Sequence, residues 1–484
     1  MNPTVDILKL GARPGDEYDC SETFARAMAM IRKAGGGTVR VPPGLYRTGP
    51  IELFDNTTLA VERGACLRFI PDPALYPPVE TRWEGIRCYA MRPLILARGA
   101  RNVALIGEGC IDGSGLEWWK AHRGKKASGQ SKPETSIEKR LAELNKGSGE
   151  QPSGGGGRET QFLRPPLVQF FDCDGVLLKG LSLSNSPFWT VHPVFSRRIR
   201  VEAIRIENPA DAPNTDGIDI DSCEDVSIYD SVIDVGDDCI ALKAGSGSQG
   251  LEENRATRNV RISGCSFLSG HGGVVIGSET AGGVENVDVL NCRFMGTDRG
   301  IRLKSRRGRG GLVQNLSFKN LVMDNILSPI TINLYYECGV KAADKAFVFS
   351  QDAQSPTSLT PIMRNILVSN LTAMRCRASA GFIVGLPESK IRNLVLENCV
   401  ISLAGDGLVP VDRSEMYQGL GETGHRGLRM KNVECRLDAV RIENCGGCGV
   451  LVEEGCDIVP AGLWRANTQA GVQPDSQPDS QPKK

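Results

Sequence analysis

Four polar clusters fall between residues 214 and 304: Asn214-Thr215-Asp216-Gly217, Gly236-Asp237-Asp238-Cys239, Gly270-His271-Gly272-Gly273 and Arg302-Leu303-Lys304. Read singly they are weak signals, because Asp-Gly and Asp-Asp mark turns and an isolated His is usually structural. Read together, three carboxylates, an imidazole and two cations are a set that acid–base chemistry on an anionic substrate requires. Crowded carboxylates raise the pKa of at least one member. Glycoside hydrolysis needs that: one carboxylic acid that stays protonated to release the leaving oxygen, and a carboxylate that activates water or attacks carbon. His271 is placed to tune the proton by hydrogen bonding. Arg302 offers a two-pronged contact to a carboxylate and Lys304 a point charge, so a uronic acid is the expected substrate.

These clusters act together only if the chain stacks them. From about residue 50 a pattern recurs, a polar residue and Asn followed by alternating apolar and polar residues: Arg101-Asn-Val-Ala-Leu, Arg258-Asn-Val-Arg-Ile, Glu285-Asn-Val-Asp-Val, Gln314-Asn-Leu-Ser-Phe, Arg364-Asn-Ile-Leu-Val and Arg392-Asn-Leu-Val-Leu. In the second half the copies stand mostly about 25 to 35 residues apart, the period of stacked coils or propeller blades. Hairpin signals are too few for a propeller and helical periodicities are missing between the runs, so a parallel β-helix is expected. Stacked strands lie about 4.8 Å apart, which makes residues at matching places on successive coils neighbours. Parity sends Ile301 and Leu303 to the core and Arg302 and Lys304 outward together. It fails for Asp216, which shares phase with Ile218 and Ile220, unless Gly217 resets the direction.

One clear helix, Cys20 to about Lys33, with Asp19 or Ser21 as N-cap and Gly35 as stop, is suited to capping the open end of the solenoid. Residues 117–165 interrupt the repeat and read as an inserted, partly mobile loop with one short helix. The expected organisation is a single β-helix domain over 1–465 and a disordered tail over 466–484, where Gln-Pro-Asp-Ser repeats.

The 484 residues carry 57 Lys+Arg and 57 Asp+Glu, so no global charge favours nucleic acid or an anionic membrane. No segment reaches the ~20 apolar residues of a membrane span, and the start has no leader-like pattern, so a cytoplasmic location is expected, or secretion if a leader was removed. The sixteen cysteines, among them Cys223, Cys265, Cys292, Cys399 and Cys445, read as reduced, buried small residues. Cys445-Gly-Gly-Cys448 has no second pair or His at zinc spacing and reads as a turn, so neither metal nor cofactor is expected.

At these residues the sequence resembles the polygalacturonases of glycoside hydrolase family 28, over about residues 5 to 400. The likeness lies in Asn-Thr-Asp-Gly, Asp-Asp, Gly-His-Gly, the Arg-x-Lys pair and a following Tyr, all in order. It implies a right-handed parallel β-helix and an inverting hydrolase of α-1,4-galacturonosyl linkages in pectin-derived (oligo)galacturonates. Asp237 would be the general acid, Asp216 and Asp238 the pair that activates water, and His271 an aid to the acid. Arg302, Lys304, Tyr336 and Asn214 would bind substrate, with Tyr335 as the alternative to Tyr336. The run Gly272–Glu279 with Thr297-Asp-Arg-Gly300 is similar to bacterial exo-acting members, and the insertion at 117–165 is suited to walling off one end of a cleft. Other readings are a rhamnogalacturonan or xylogalacturonan hydrolase of the same family, a pectate lyase and a non-catalytic carbohydrate-binding solenoid.

Overall fold

The computed structural model describes residues 3–147, 157–412, 415–461, 465–466 and 473–474. Short strands stack in parallel into two long sheets of 24 and 13 strands, and one antiparallel pair stands apart from them. Each sheet is built rung by rung, so strands of successive coils are hydrogen-bonded neighbours. This is the right-handed parallel β-helix that the repeat predicted. Among the described residues no helix is long and apolar enough to cross a membrane.

The core is a set of side-chain rows. In the 13-stranded sheet Ile218 pairs with Ile240, Ile240 with Val274, Val274 with Ile301 and Ile301 with Ile330, all almost fully buried. Burying each such side chain contributes about 1.5–3 kcal/mol, and the regular register lets every coil cover the one before it.

The recurrent Asn has a conformational explanation. Asn102, Asn259, Asn286, Asn315, Asn365 and Asn393 all sit at φ between 51° and 57°, the left-handed region that Asn tolerates better than most residues. From 286 to 393 each amide donates to the Asn below, at 3.0 to 3.3 Å. The residue that turns each coil therefore also ties it to its neighbour.

Helix α1, Ser21–Lys33, lies over the first coils with Phe24, Ala27, Met28 and Ile31 buried. The N-cap is Cys20, which makes no side-chain capping bond, rather than Asp19 or Ser21; the Asp19 carboxylate, one residue earlier, accepts from the Ser21 N–H at 2.8 Å, and Gly35 follows the C-cap Ala34 at φ 80°. The insertion differs from expectation by holding two helices, α2 (Gly115–Ala127) and α3 (Ser136–Leu144). Trp118 and Trp119 of α2 are buried, and Trp119 Nε1 donates to the Ser186 carbonyl at 3.0 Å. A Thr135/Glu138 capping box starts α3, a signal present in the sequence but not used. Gly154 to Gly156 lie outside the described residues.

Most of the expected tail, 466–484, also lies outside them. Of that stretch Ala466 and the pair Gln473–Pro474 are described, and they belong to strands. Fourteen cysteines are free, and burial pushes the thiols of Cys223 and Cys399 up to about 12. Cys445 and Cys448 are free thiols in a turn. The uniformly reduced set is corrected at one place: Cys66 and Cys110, paired on neighbouring rungs with Cα atoms 4.5 Å apart, form a disulfide.

Candidate active site

The outward face of the 13-stranded sheet is the floor of a groove. Ile218 and Ile220 point inward, so Asp219 and Asp221 point out, and the same parity exposes Lys243 one coil on and Arg302 and Lys304 two coils further. Asp216 escapes this alternation because the chain bends at Gly217, where a Cβ would meet the Cys239 carbonyl oxygen at 2.4 Å. The reset assumed at Gly217 is thus made by a bend that admits only glycine.

The structure brings the expected carboxylates together. Asp216, Asp237 and Asp238 each offer an oxygen within 4.8 Å of the others. Asp216 and Asp238 are buried, and Asp237 is the partly exposed member. Burial, then the charges of Asp237 and Asp219, hold the Asp216 carboxyl well above its usual range. Asp238 goes the other way: burial opposes its charge, but Lys304, Arg302 and Lys243 overbalance that and hold it well below. One member of the cluster is therefore kept ionised while another keeps a proton.

Arg302 Nη1 donates to Asp238 Oδ1 at 2.7 Å and Lys304 Nζ to Asp238 Oδ2 at 2.6 Å. The sequence reading placed both cations as open partners for a substrate carboxylate. In the structure both lie in the floor of the groove, with Asp238 bridging them. The coil between has no room for a side chain here: a Cβ on Gly272 would meet Val275 Cγ2 at 2.5 Å, Arg302 Cδ at 3.1 Å and Asp238 Oδ1 at 3.2 Å. Gly272 is what lets the Arg302 side chain reach across one rung.

His271 sits at the rim, its backbone N–H donating to the Asp237 carbonyl at 2.9 Å and its Nδ1 lying 2.9 Å from Asp298 Oδ2. The Asp298 hydrogen bond, then the charges of Asp237 and Asp238, raise the imidazole pKa against burial. Tyr336, not Tyr335, adjoins the cations, with Lys304 Nζ 5.4 Å and Arg302 Cζ 5.9 Å from its ring centre. Tyr335 faces Arg307 instead. Asn214 is turned by Arg164, whose Nη2 donates to its Oδ1 at 2.7 Å.

Several charged groups here were missed in the sequence. Lys243 lies 3.2 Å from Glu279 and 3.5 Å from Asp219, and these with Asp216 keep its ammonium charged although burial opposes it. The signal for Asp219 and Lys243 was the parity that found Arg302 and Lys304. Asp298 had no signal beyond its place in Thr297-Asp-Arg-Gly300.

Two structures cross the groove. On the N-terminal side the antiparallel hairpin Pro78–Trp83/Ile86–Met91 is bolted down by Thr81 to Gln169 (2.9 Å) and by Arg82 to Asp221 (2.6 Å) and Ser222 (2.7 Å). Trp83 stacks on Phe188 at 4.7 Å. The wall expected from 117–165 is thus made by 78–91, and the insertion braces it: Asn145, just after α3, hydrogen-bonds both the N–H and the carbonyl of Tyr89. On the C-terminal side residues 404–412 and 415–427 fold back over the floor. Asn333 donates to the Glu415 carbonyl at 2.8 Å, Met416 Sδ lies 3.2 Å from Arg302 Nη2, and Tyr417 stacks on Phe382 at 5.2 Å.

Carboxylates crowded until one holds a proton, beside cations in a β-helix groove, define an acid–base hydrolase of carbohydrate chains. Comparison with known proteins gives the lineage. The profile of glycosyl hydrolases family 28 matches residues 146–349. A probable polygalacturonase of Vitis vinifera is 28% identical over 394 residues, 79% of this chain and 71% of its own. An endo-polygalacturonase of Pectobacterium carotovorum subsp. carotovorum is 30% identical over 340 residues, 66% of this chain and 73% of its own. The crystal structure of a hyperthermoactive exopolygalacturonase from Thermotoga maritima superposes with a TM-score of 0.72 at 32% identity, covering 90% of this chain and 92% of that one. The chain belongs to glycosyl hydrolases family 28.

Proposed function

We propose that this hydrolase removes terminal galacturonate units from α-1,4-linked oligogalacturonates, with inversion of configuration. The single observation that carries the exo reading is the groove crossed on both sides of the aspartates, by the 78–91 hairpin and by residues 404–412 and 415–427. A polymer lying lengthwise has no path, whereas a chain end entering sideways does. The exo- and endo-acting relatives leave both modes open to the family.

In this reading Asp237, the carboxyl that a glycosidic oxygen can reach, gives the proton. Carboxylates this close titrate as a unit. Asp216 and Asp238 then take a proton from the attacking water. His271 orients the acid, Arg302, Lys304 and Tyr336 receive the substrate carboxylate at the edge of the floor, and Asn214 lines the site beside Asp216. The 4.8 Å spacing is shorter than the ~6.5–9.5 Å between two opposed carboxyls in inverting enzymes. Inversion is instead what the relationship to glycosyl hydrolases family 28 implies.

Chromatography of products from a defined galacturonate pentamer tests the mode: monomer and the tetramer alone at early times are expected, and a full ladder from the start overturns the exo reading. Proton NMR of the first product tests inversion, the β-anomer being expected.

A further inference from the structure

His271 stands in the run Gly270-His-Gly-Gly, and at the rim of the groove its side chain is 51% exposed. Three flanking glycines leave that backbone free to move unless something else restrains it. The restraint comes from Arg299. Its Nη1 donates to the His271 carbonyl oxygen at 3.2 Å and lies 3.8 Å from Asp298 Oδ2, the same oxygen that meets His271 Nδ1 at 2.9 Å. The His271 N–H is given to the Asp237 carbonyl. Both polar groups of the His271 backbone are thus tied, one to the acid and the other to Arg299.

Arg299 shares the strand phase of the core residues Ile301 and Leu303 and is only 3% exposed. The register that sets Val274 opposite Ile301 puts it opposite Gly272, in the column of Asp238. Its Nε is buried without a partner. Burial and the charge of Arg302 lower its pKa to about 10, against the pull of Glu415, Asp298 and Asp238. A buried guanidinium so incompletely paired costs free energy. The contacts it does make converge on His271 and on the carboxylate that His271 uses.

We infer that Arg299 is a positioning residue for the reaction that acts through His271: it grips the His271 carbonyl and the Asp298 carboxylate together, and so holds the imidazole in place beside the acid Asp237. The inference rests on the galacturonosidase reading above, in which His271 orients that acid. It adds the group that gives an exposed, glycine-flanked side chain a fixed aim, where a displacement of about 1 Å costs up to about 100-fold in rate.

The test is a double-mutant cycle on trigalacturonate, with Arg299→Met and Arg299→Lys each made in the wild type and in His271→Ala. Arg299→Met is expected to lower kcat about 30-fold with KM changed less than about twofold, Arg299→Lys to retain part of the rate, and His271→Ala to lose activity as well. In His271→Ala the Arg299 substitutions should cost no more than about twofold further, since the residue they act through is gone. Equal losses in both backgrounds, a change confined to KM, or no loss at all overturn the positioning role, and so does a His271→Ala variant as active as the wild type. Urea midpoints show whether Arg299→Met folds; if it does not, the cycle with Arg299→Lys, which keeps the charge, decides by the same criteria. A wild type inactive on trigalacturonate overturns the galacturonosidase reading and this inference with it, an outcome distinct from the others.

Discussion

Asp238 receives Lys304 on one carboxylate oxygen at 2.6 Å and Arg302 on the other at 2.7 Å, although both cations stand two coils away along the helix axis. The pairing fixes the position of the catalytic floor and sets Asp238 apart from its neighbour Asp237.

Asp238→Asn is expected to cost stability as well as activity, because it leaves two buried cations without their anion, a loss of about 3–5 kcal/mol. Asp237→Asn is expected to keep the wild-type unfolding midpoint and lose orders of magnitude in kcat with binding retained. The folded pKa of Asp238 is depressed, so its stabilisation is present above the unfolded value near 4 and is lost only as pH falls through the lower folded value. Urea midpoints of wild type and Asp238→Asn should therefore converge only in strong acid.

Gly272→Ala adds one methyl that meets Val275 Cγ2 at 2.5 Å and crowds Arg302 Cδ and Asp238 Oδ1 at 3.1 to 3.2 Å, pressing on the bridge between them. A kcat/KM loss of about 10-fold or more is expected from a small residue placed outside the core. Wild-type kinetics in this variant would show that the Arg302 reach is dispensable.

The Asp298 carboxylate raises the His271 pKa, so the imidazolium persists as pH rises and is lost only through that raised value. Asp298→Asn is expected to move the alkaline limb of the kcat/KM profile to lower pH without moving the acid limb. An unchanged profile would remove His271 from the proton inventory.

Tyr336→Leu is expected to raise KM for galacturonate oligomers several-fold, since its ring adjoins Lys304 and Arg302. Tyr335→Phe should leave KM unchanged, because that hydroxyl faces Arg307 and the Ser350 carbonyl, at 3.4 Å, rather than these cations. Steady-state kinetics on both variants settles which of the adjacent tyrosines serves the substrate.

The coils were legible because their determinants are local: an Asn that accepts positive φ, and an apolar alternation that one face of a strand must bury. The triad was legible for the same reason, stacking turning separation in sequence into adjacency. Lys243 and Asp219 were legible in principle, by the parity that placed Arg302 and Lys304. The hairpin over the groove was not, since Arg82 finds Asp221 across 139 residues by tertiary contact alone. Cys66 and Cys110 were equally hidden, their pairing depending on which rungs meet.

The rungs also act as a ruler. Loops between strands vary from a few residues to the long stretch after Asn333, and lengthening one moves nothing on the floor. Adding or deleting a whole coil between Asp238 and Arg302 would displace them by about 4.8 Å, enough to part the pair. Loop length can therefore change and reshape the walls, while the number of rungs between Asp238 and its cations cannot change without parting them.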